Sequence, residues 1–387
     1  MGRAARSWIV LALAFGAVAA HAAAAPRFVP ADPGFVVARV QQAVPDAALR
    51  ELIARWRASP GDAESVALGA AFLDRAHELR EPMYVGRAES VLAAAVTRPG
   101  ASASAQRLYA QTLQFRHDFP AAKLRLDALL RDDPHDAAAR LQRASVNLVR
   151  GEFSAARIDC AQLVAQAGMR AEAMACLAES LAGTGALPRA RALLGAYPLS
   201  RDEDARARGY FLAVRAELHE RAGDLDRALA DYAAALALAP ADDSIRAALA
   251  DALVARGEPH EACALLDVER AGLPLVVRRA VCAGEPERDR SRVQAQGWLE
   301  QEAARGDAPH LREAALLALA TGDFPAALVA ARANFALQRQ LADVRALARA
   351  ASAMRDVSAR RELEDWLRTT GFRDAVTEAI LGAATRS

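Results

Sequence analysis

Residues Gly209 to Pro240 read GYFLAVRAELHERAGDLDRALADYAAALALAP. Two alanine-rich helical stretches flank Gly223-Asp224, with Ala216 in the first and Leu225, Ala228, Tyr232 and Ala235 in the second, and Pro240 closes the unit. The segment spells helix A, tight turn, helix B. Glycine belongs at the turn because φ goes positive there.

The same spelling recurs along the chain. Ala88, Ala122, Ala156, Ala190, Ala228, Ala262 and Ala327 are separated by 34, 34, 34, 38, 34 and 65 residues. A second alanine lies twelve residues before each of the last six: Ala110, Ala144, Ala178, Ala216, Ala250 and Ala315. Five residues before each of those same last six alanines stand His117, Gly151, Gly185, Gly223, Gly257 and Gly322. Alanine at facing positions lets antiparallel helices approach to the short end of the usual 8–10 Å spacing, roughly, and bulky side chains there would part them.

A period of 34 with this helix–turn–helix pattern resembles the tetratricopeptide repeat. Pro134, Pro240 and Pro274 take its closing position, whereas Asn147 and His219 replace its large apolar residue in two units. The resemblance covers about residues 62 to 340. It implies an all-α, right-handed solenoid of stacked antiparallel helix pairs, about eight of them, acting as a protein-binding scaffold. The 38-residue gap places extra residues in Leu199–Arg206, and the 65-residue gap hides a degenerate unit. That unit has a helix near Leu275–Ala283, a charged turn Glu285–Arg290, and a helix bearing Ala295, Trp298 and Leu299.

The remaining segments frame the array. Arg3, Arg6 and the apolar run Trp8–Ala20 before Ala20-His21-Ala22 have the parts of a secretory signal peptide, assigned to residues 1–24. The alternative is an uncleaved anchor, for which the run falls short of the roughly 20 residues of a span. Residues 25–61 are expected to form an extended, proline-rich arm and a short helix, and 341–387 capping helices. A periplasmic or secreted location follows from the signal, with no stable membrane insertion after cleavage.

Lys+Arg number 49 and Asp+Glu 48, so bulk charge selects no nucleic-acid partner. No phosphate loop, His-Glu-x-x-His, nucleophile elbow or Cys-x-x-Cys appears, and neither catalysis, a cofactor nor a metal is expected. His135, in Asp133-Pro134-His135-Asp136, is read as turn chemistry rather than as a ligand.

The resemblance places the functional surface on the concave face, lined by helix A. The candidate groove residues are Arg107, Gln111, Gln114, Leu141, Leu148, Glu172, Glu179, Tyr210, Glu217, Glu220 and Asp251. The groove begins polar, turns apolar and ends acidic, which suits a basic or amide-rich segment of a protein or peptide partner in the envelope or a secretion system. A solvated helix face is the plainer reading of each acidic residue. The alternative function is a structural part of an envelope complex that uses the convex face or termini.

Four cysteines complete the reading. Cys160 and Cys176 fall on consecutive antiparallel helices, and so do Cys263 and Cys282. Side chains so placed can meet the spacing of about 4.4–6.8 Å between Cα atoms that a disulfide requires. The expected pairs are therefore Cys160–Cys176 and Cys263–Cys282, against the alternative of four small buried thiols.

Overall fold

The computed structural model describes residues 47–79, 81, 83–164, 170–267, 271–305 and 310–383. They lie in one compact unit, Pro45–Ser387. The expected signal peptide and most of the expected arm lie outside the described residues.

The described residues form twenty helices joined by short turns. Helix α1 (Ala47–Ala58) is followed by the pairs α2 (Asp62–Leu79) with α3 (Met83–Val96), and α4 (Ala103–Phe115) with α5 (Phe119–Asp132). Next come α6 (Ala137–Val149) with α7 (Phe153–Val164), and α8 (Arg170–Gly183) with α9 (Leu187–Ala196). The middle holds α10 (Ala205–Arg221) with α11 (Leu225–Leu238), and α12 (Asp243–Arg256) with α13 (Pro259–Leu266). The array continues with α14 (Leu273–Cys282) and α15 (Glu287–Arg305), α16 (Leu311–Thr321) and α17 (Phe324–Leu337), and α18 (Leu341–Met354) and α19 (Val357–Thr370). Helix α20 (Ala375–Ala383) ends it.

That makes nine pairs among the described residues, close to the expected eight, with α18 and α19 in the segment where capping helices were expected. The degenerate unit also differs in detail. Its charged turn is shorter than expected: α15 begins at Glu287, whose carboxylate pairs with Arg290 one turn on and with Arg279 of α14. The loop before α10 does hold the extra residues of the long gap, 197–204.

The turns behave as the glycine column requires. Gly151, Gly185, Gly223, Gly257 and Gly322 all have φ between 73° and 90°, and His117 takes the same region at 58° without being glycine. Aspartates satisfy open backbone N–H groups at helix starts, for example Asp118 to Ala121 and Asp136 to Ala139.

Both alanine columns are sealed: Ala110, Ala122, Ala144, Ala156, Ala178, Ala190, Ala216, Ala228, Ala262, Ala315 and Ala327 are each 0% exposed. Gly183 shows how close the approach becomes, since a Cβ there would lie 2.2 Å from the Phe153 ring. The curvature follows from which helices touch. First helices contact each other in two runs, α2–α4–α6–α8–α10 and α12–α14–α16–α18–α20, while contacts between successive second helices are weaker. The first helices therefore line the inner face.

Overpacking an alanine column tests this architecture. Ala228→Leu should lower unfolding free energy by roughly 1–3 kcal/mol, measured by urea denaturation, because the added carbons have no cavity to enter.

Candidate binding surface

The inner face is not open along its whole length. The superhelix returns on itself, and α20 touches α10. The core cluster holding Ala144, Leu148, Phe153, Cys160 and Cys176 also contains Leu341, Val344, Leu347, Ala348, Phe372 and Leu381 from the C-terminal helices. Leu148 is 4% exposed and Leu141 packs against the same cluster, so this apolar part of the expected groove is covered by the chain itself.

Two interactions hold this closure. One is aromatic: Trp366 lies 5.2 Å from Phe372, 5.3 Å from Phe335 and 6.2 Å from Phe153 between ring centroids. Such clusters add to area burial through their edge and face preferences. The other is ionic. Arg345 of α18 donates to Asp374 at 2.7 Å and 3.0 Å and to Glu220 of α10, and all three residues are buried. Tyr232 also donates to Glu220, at 2.9 Å, and Thr377 donates to Asp374. Arg345 holds the Asp374 carboxyl below its ordinary range despite burial. Arg221, 2% exposed, lies 3.8 Å above the Phe372 ring and donates to the carbonyls of Ala182 and Arg373.

Glu220 is thus a structural ion-pair residue rather than a groove contact. A lysine there would set two cations together in a site with little water, where an unpaired charge is costly.

Apart from Asp251, the remaining candidates fall into two stretches, the first open and the second half-buried. At the start, α2, α4 and α6 enclose a depression of about 320 Å³ lined by Val66, Ser104, Arg107, Leu108, Gln111, Ala138 and Gln142. Arg107 is fixed there by Asp136 at 2.6 Å, and Gln142 donates to the Arg107 carbonyl at 3.1 Å, while Gln111 is exposed. Gln114, a turn further on, keeps its buried side-chain nitrogen without a hydrogen-bond partner. Further along, Glu172, Glu179, Tyr210 and Glu217 are half-buried on α8 and α10. Tyr210 donates to Glu179 at 3.3 Å. Burial, then the neighbouring Glu217, pushes the Glu179 carboxyl from its ordinary 4.5 up to about 8, and Glu217 is raised as well, chiefly by burial. Asp251 is held by Arg278 through bonds of 2.8–3.0 Å and is not available as a free charge.

The cysteines are joined. Cys160–Cys176 and Cys263–Cys282 are disulfides, with Cα atoms 5.5 Å and 5.7 Å apart. His135 sits exposed in its turn, its N–H donating to Asp133. Among the described residues no cluster of three or more His, Cys, Asp or Glu is placed to hold a metal, and no helix is long and apolar enough to cross a membrane.

Residues 155–271 match the family described as Tetratricopeptide repeat. That stretch carries tetratricopeptide repeats. Solved structures, two of them of tetratricopeptide repeat proteins, resemble the chain at low identity. A thermophilic one from Thermus thermophilus is 22% identical, covering 50% of this chain and 97% of that one, at a TM-score of 0.37. Another from Parabacteroides merdae is 16% identical over 65% of this chain and 98% of that one, at a TM-score of 0.39. The APC/C hetero-tetramer Cut9-Hcn1 is 16% identical over 78% of this chain, at a TM-score of 0.48, and this chain spans 59% of the length of that one. No curated protein matches the sequence. Tetratricopeptide repeat proteins are typically interaction scaffolds without enzymatic activity, and this chain has the fold of one.

Glu179 gives the surface a pH signature. A carboxyl with a raised folded-state pKa makes the folded protein bind more protons than the unfolded chain between pH 4.5 and about 8, so its contribution to stability falls as pH rises through that window. Urea denaturation at pH 5 and pH 8 should show a larger loss for the native chain than for Glu179→Gln. Equal losses would contradict the placement of Glu179.

Proposed function

We propose that the chain is exported and that it binds an extended segment of a protein partner along the open inner face of its first three repeats. The observation that carries the reading is the depression on α2, α4 and α6. It presents exposed Gln111 beside a preformed Arg107–Asp136 pair, and the rest of the inner face is partly filled by the chain's own C-terminal helices. A rigid surface with hydrogen-bonding groups already positioned costs little ordering when a peptide docks.

The lining favours an amide-rich segment, since Gln111, Gln142 and Ser104 supply donors and acceptors while Arg107 is already neutralised. Export is supported by the N-terminal pattern of basic, apolar and small residues and by two disulfides, which persist in oxidising compartments.

A photocrosslinker at Gln111, compared with one at Ile158 on the outer face, tests the assignment in intact cells. The expected result is one partner captured from Gln111 and none from Ile158. The captured segment, made as a peptide, should bind the purified chain and lose at least about tenfold in affinity to Gln111→Arg. Capture from Ile158 alone would favour an outer-face structural role.

A further inference from the structure

The two disulfides occupy opposite environments. Cys160 and Cys176 are each 0% exposed and lie inside the largest core cluster, beside Phe153, Leu148 and Phe335. Cys263 and Cys282 are only partly buried and line an open cavity of about 390 Å³ with His260, Ala264, Asp267, Arg279, Ala283, Gly284 and Glu287. Several of those neighbours, His260, Ala264, Asp267 and Gly284 among them, are themselves exposed.

Access decides thiol–disulfide exchange before anything else, because the attacking thiolate must reach a sulfur along the S–S axis. We propose that Cys263–Cys282 is a site of thiol–disulfide exchange with dithiol reductants, small or proteinaceous, and that Cys160–Cys176 is inert to them in the folded protein. The thiolate of the reductant attacks one sulfur of the Cys263–Cys282 bond, forming a mixed disulfide and releasing the other cysteine as a thiolate. The second thiol of the reductant, deprotonated, then attacks the mixed disulfide and releases the remaining cysteine. Two electrons pass from the dithiol to the protein, the reductant leaves as a disulfide, and its two protons end on Cys263 and Cys282. Arg279 and His260 are the basic groups that line the cavity, and Asp267 and Glu287 the acidic ones, with Arg279 paired to Glu287.

Reduction would leave the repeats in place. Ala262, Leu266 and Leu275 beneath α13 and α14 are each 0% exposed and form their own packed cluster, so the two helices keep an apolar contact after the bond opens. The bridge is therefore a reversible staple between α13 and α14, whereas Cys160–Cys176 belongs to the core that closes the superhelix. This exchange chemistry does not depend on which partner the inner face binds.

The test uses the full chain after oxidative export, with the mass of each bridged peptide pair established first. The folded protein is treated with dithiothreitol, sampled over time, trapped with N-ethylmaleimide and mapped by peptide mass. Cys263 and Cys282 should be alkylated at least about tenfold faster than Cys160 and Cys176, and circular dichroism should stay helical throughout. In denaturant the two bridges should be reduced at similar rates. Equal rates in the folded state, earlier labelling of Cys160 and Cys176, selectivity that survives denaturation, or four free thiols at the outset would each overturn the proposal.

Discussion

Close approach of helices at alanine is the constraint on which this structure depends. The regular units place an alanine on the first helix and another on the second, each at most 1% exposed, so the helices of a pair meet with no large side chain between them. First helices stay in contact along the inner face, whereas contacts between second helices are weaker. An array in which one face is held closer than the other must curve, and curvature sustained over the nine described pairs brings the end of the chain back to its middle.

Where the array returns, the surface of the turns becomes an interface. Gly151, Gly185 and Gly223 expose backbone without a side chain, and the C-terminal helices settle there: a Cβ at these positions would lie 3.1 Å from Arg339, 3.5 Å from Gly371 and 3.7 Å from Ala375. The aromatic cluster supplies apolar area, and Arg345 supplies direction by joining Glu220 to Asp374. A buried pair of this kind adds little over a well-packed apolar substitute, but it penalises any other register severely, because a misplaced partner leaves a charge without water. The same closure delimits the open part of the inner face. It covers Leu141 and Leu148, claims Glu220, and leaves the polar depression at Arg107 and Gln111 open.

The repeat was legible because its signals are local and periodic. The glycine column marked turns with φ between 73° and 90°, and the 34-residue spacing of alanines placed the facing helices. Helix limits such as Ala47–Ala58 and Asp62–Leu79 follow from proline and aspartate punctuation. The closure left no such trace. Arg345 and Glu220 are 125 residues apart and Arg221 and Arg373 152 apart, and an arginine on a helix reads as solvated until its partner is known. For that reason Glu220 looked like part of an acidic groove. Gln142 was overlooked as a lining residue because its role is set by the Arg107 carbonyl of the neighbouring unit rather than by its place in its own. The turn between α18 and α19 departs from the glycine column, and Arg355 takes its position with φ of 51°.

Amide hydrogen exchange at the repeat turns tests the closure most directly. The turns at Gly151, Gly223, Gly257 and Gly322 share the same pair of local backbone hydrogen bonds, such as Gly151 to Leu148 and Glu152 to Asn147, or Gly257 to Val254 and Glu258 to Leu253. They differ in cover, since the C-terminal helices lie on Gly151 and Gly223, whereas among the described residues nothing beyond the adjoining chain lies within 4 Å of a Cβ built at Gly257 or Gly322. A closed superhelix predicts slow exchange at residues 149–153 and 221–225 and fast exchange at 256–258 and 321–324. Equal exchange at all four turns would contradict it.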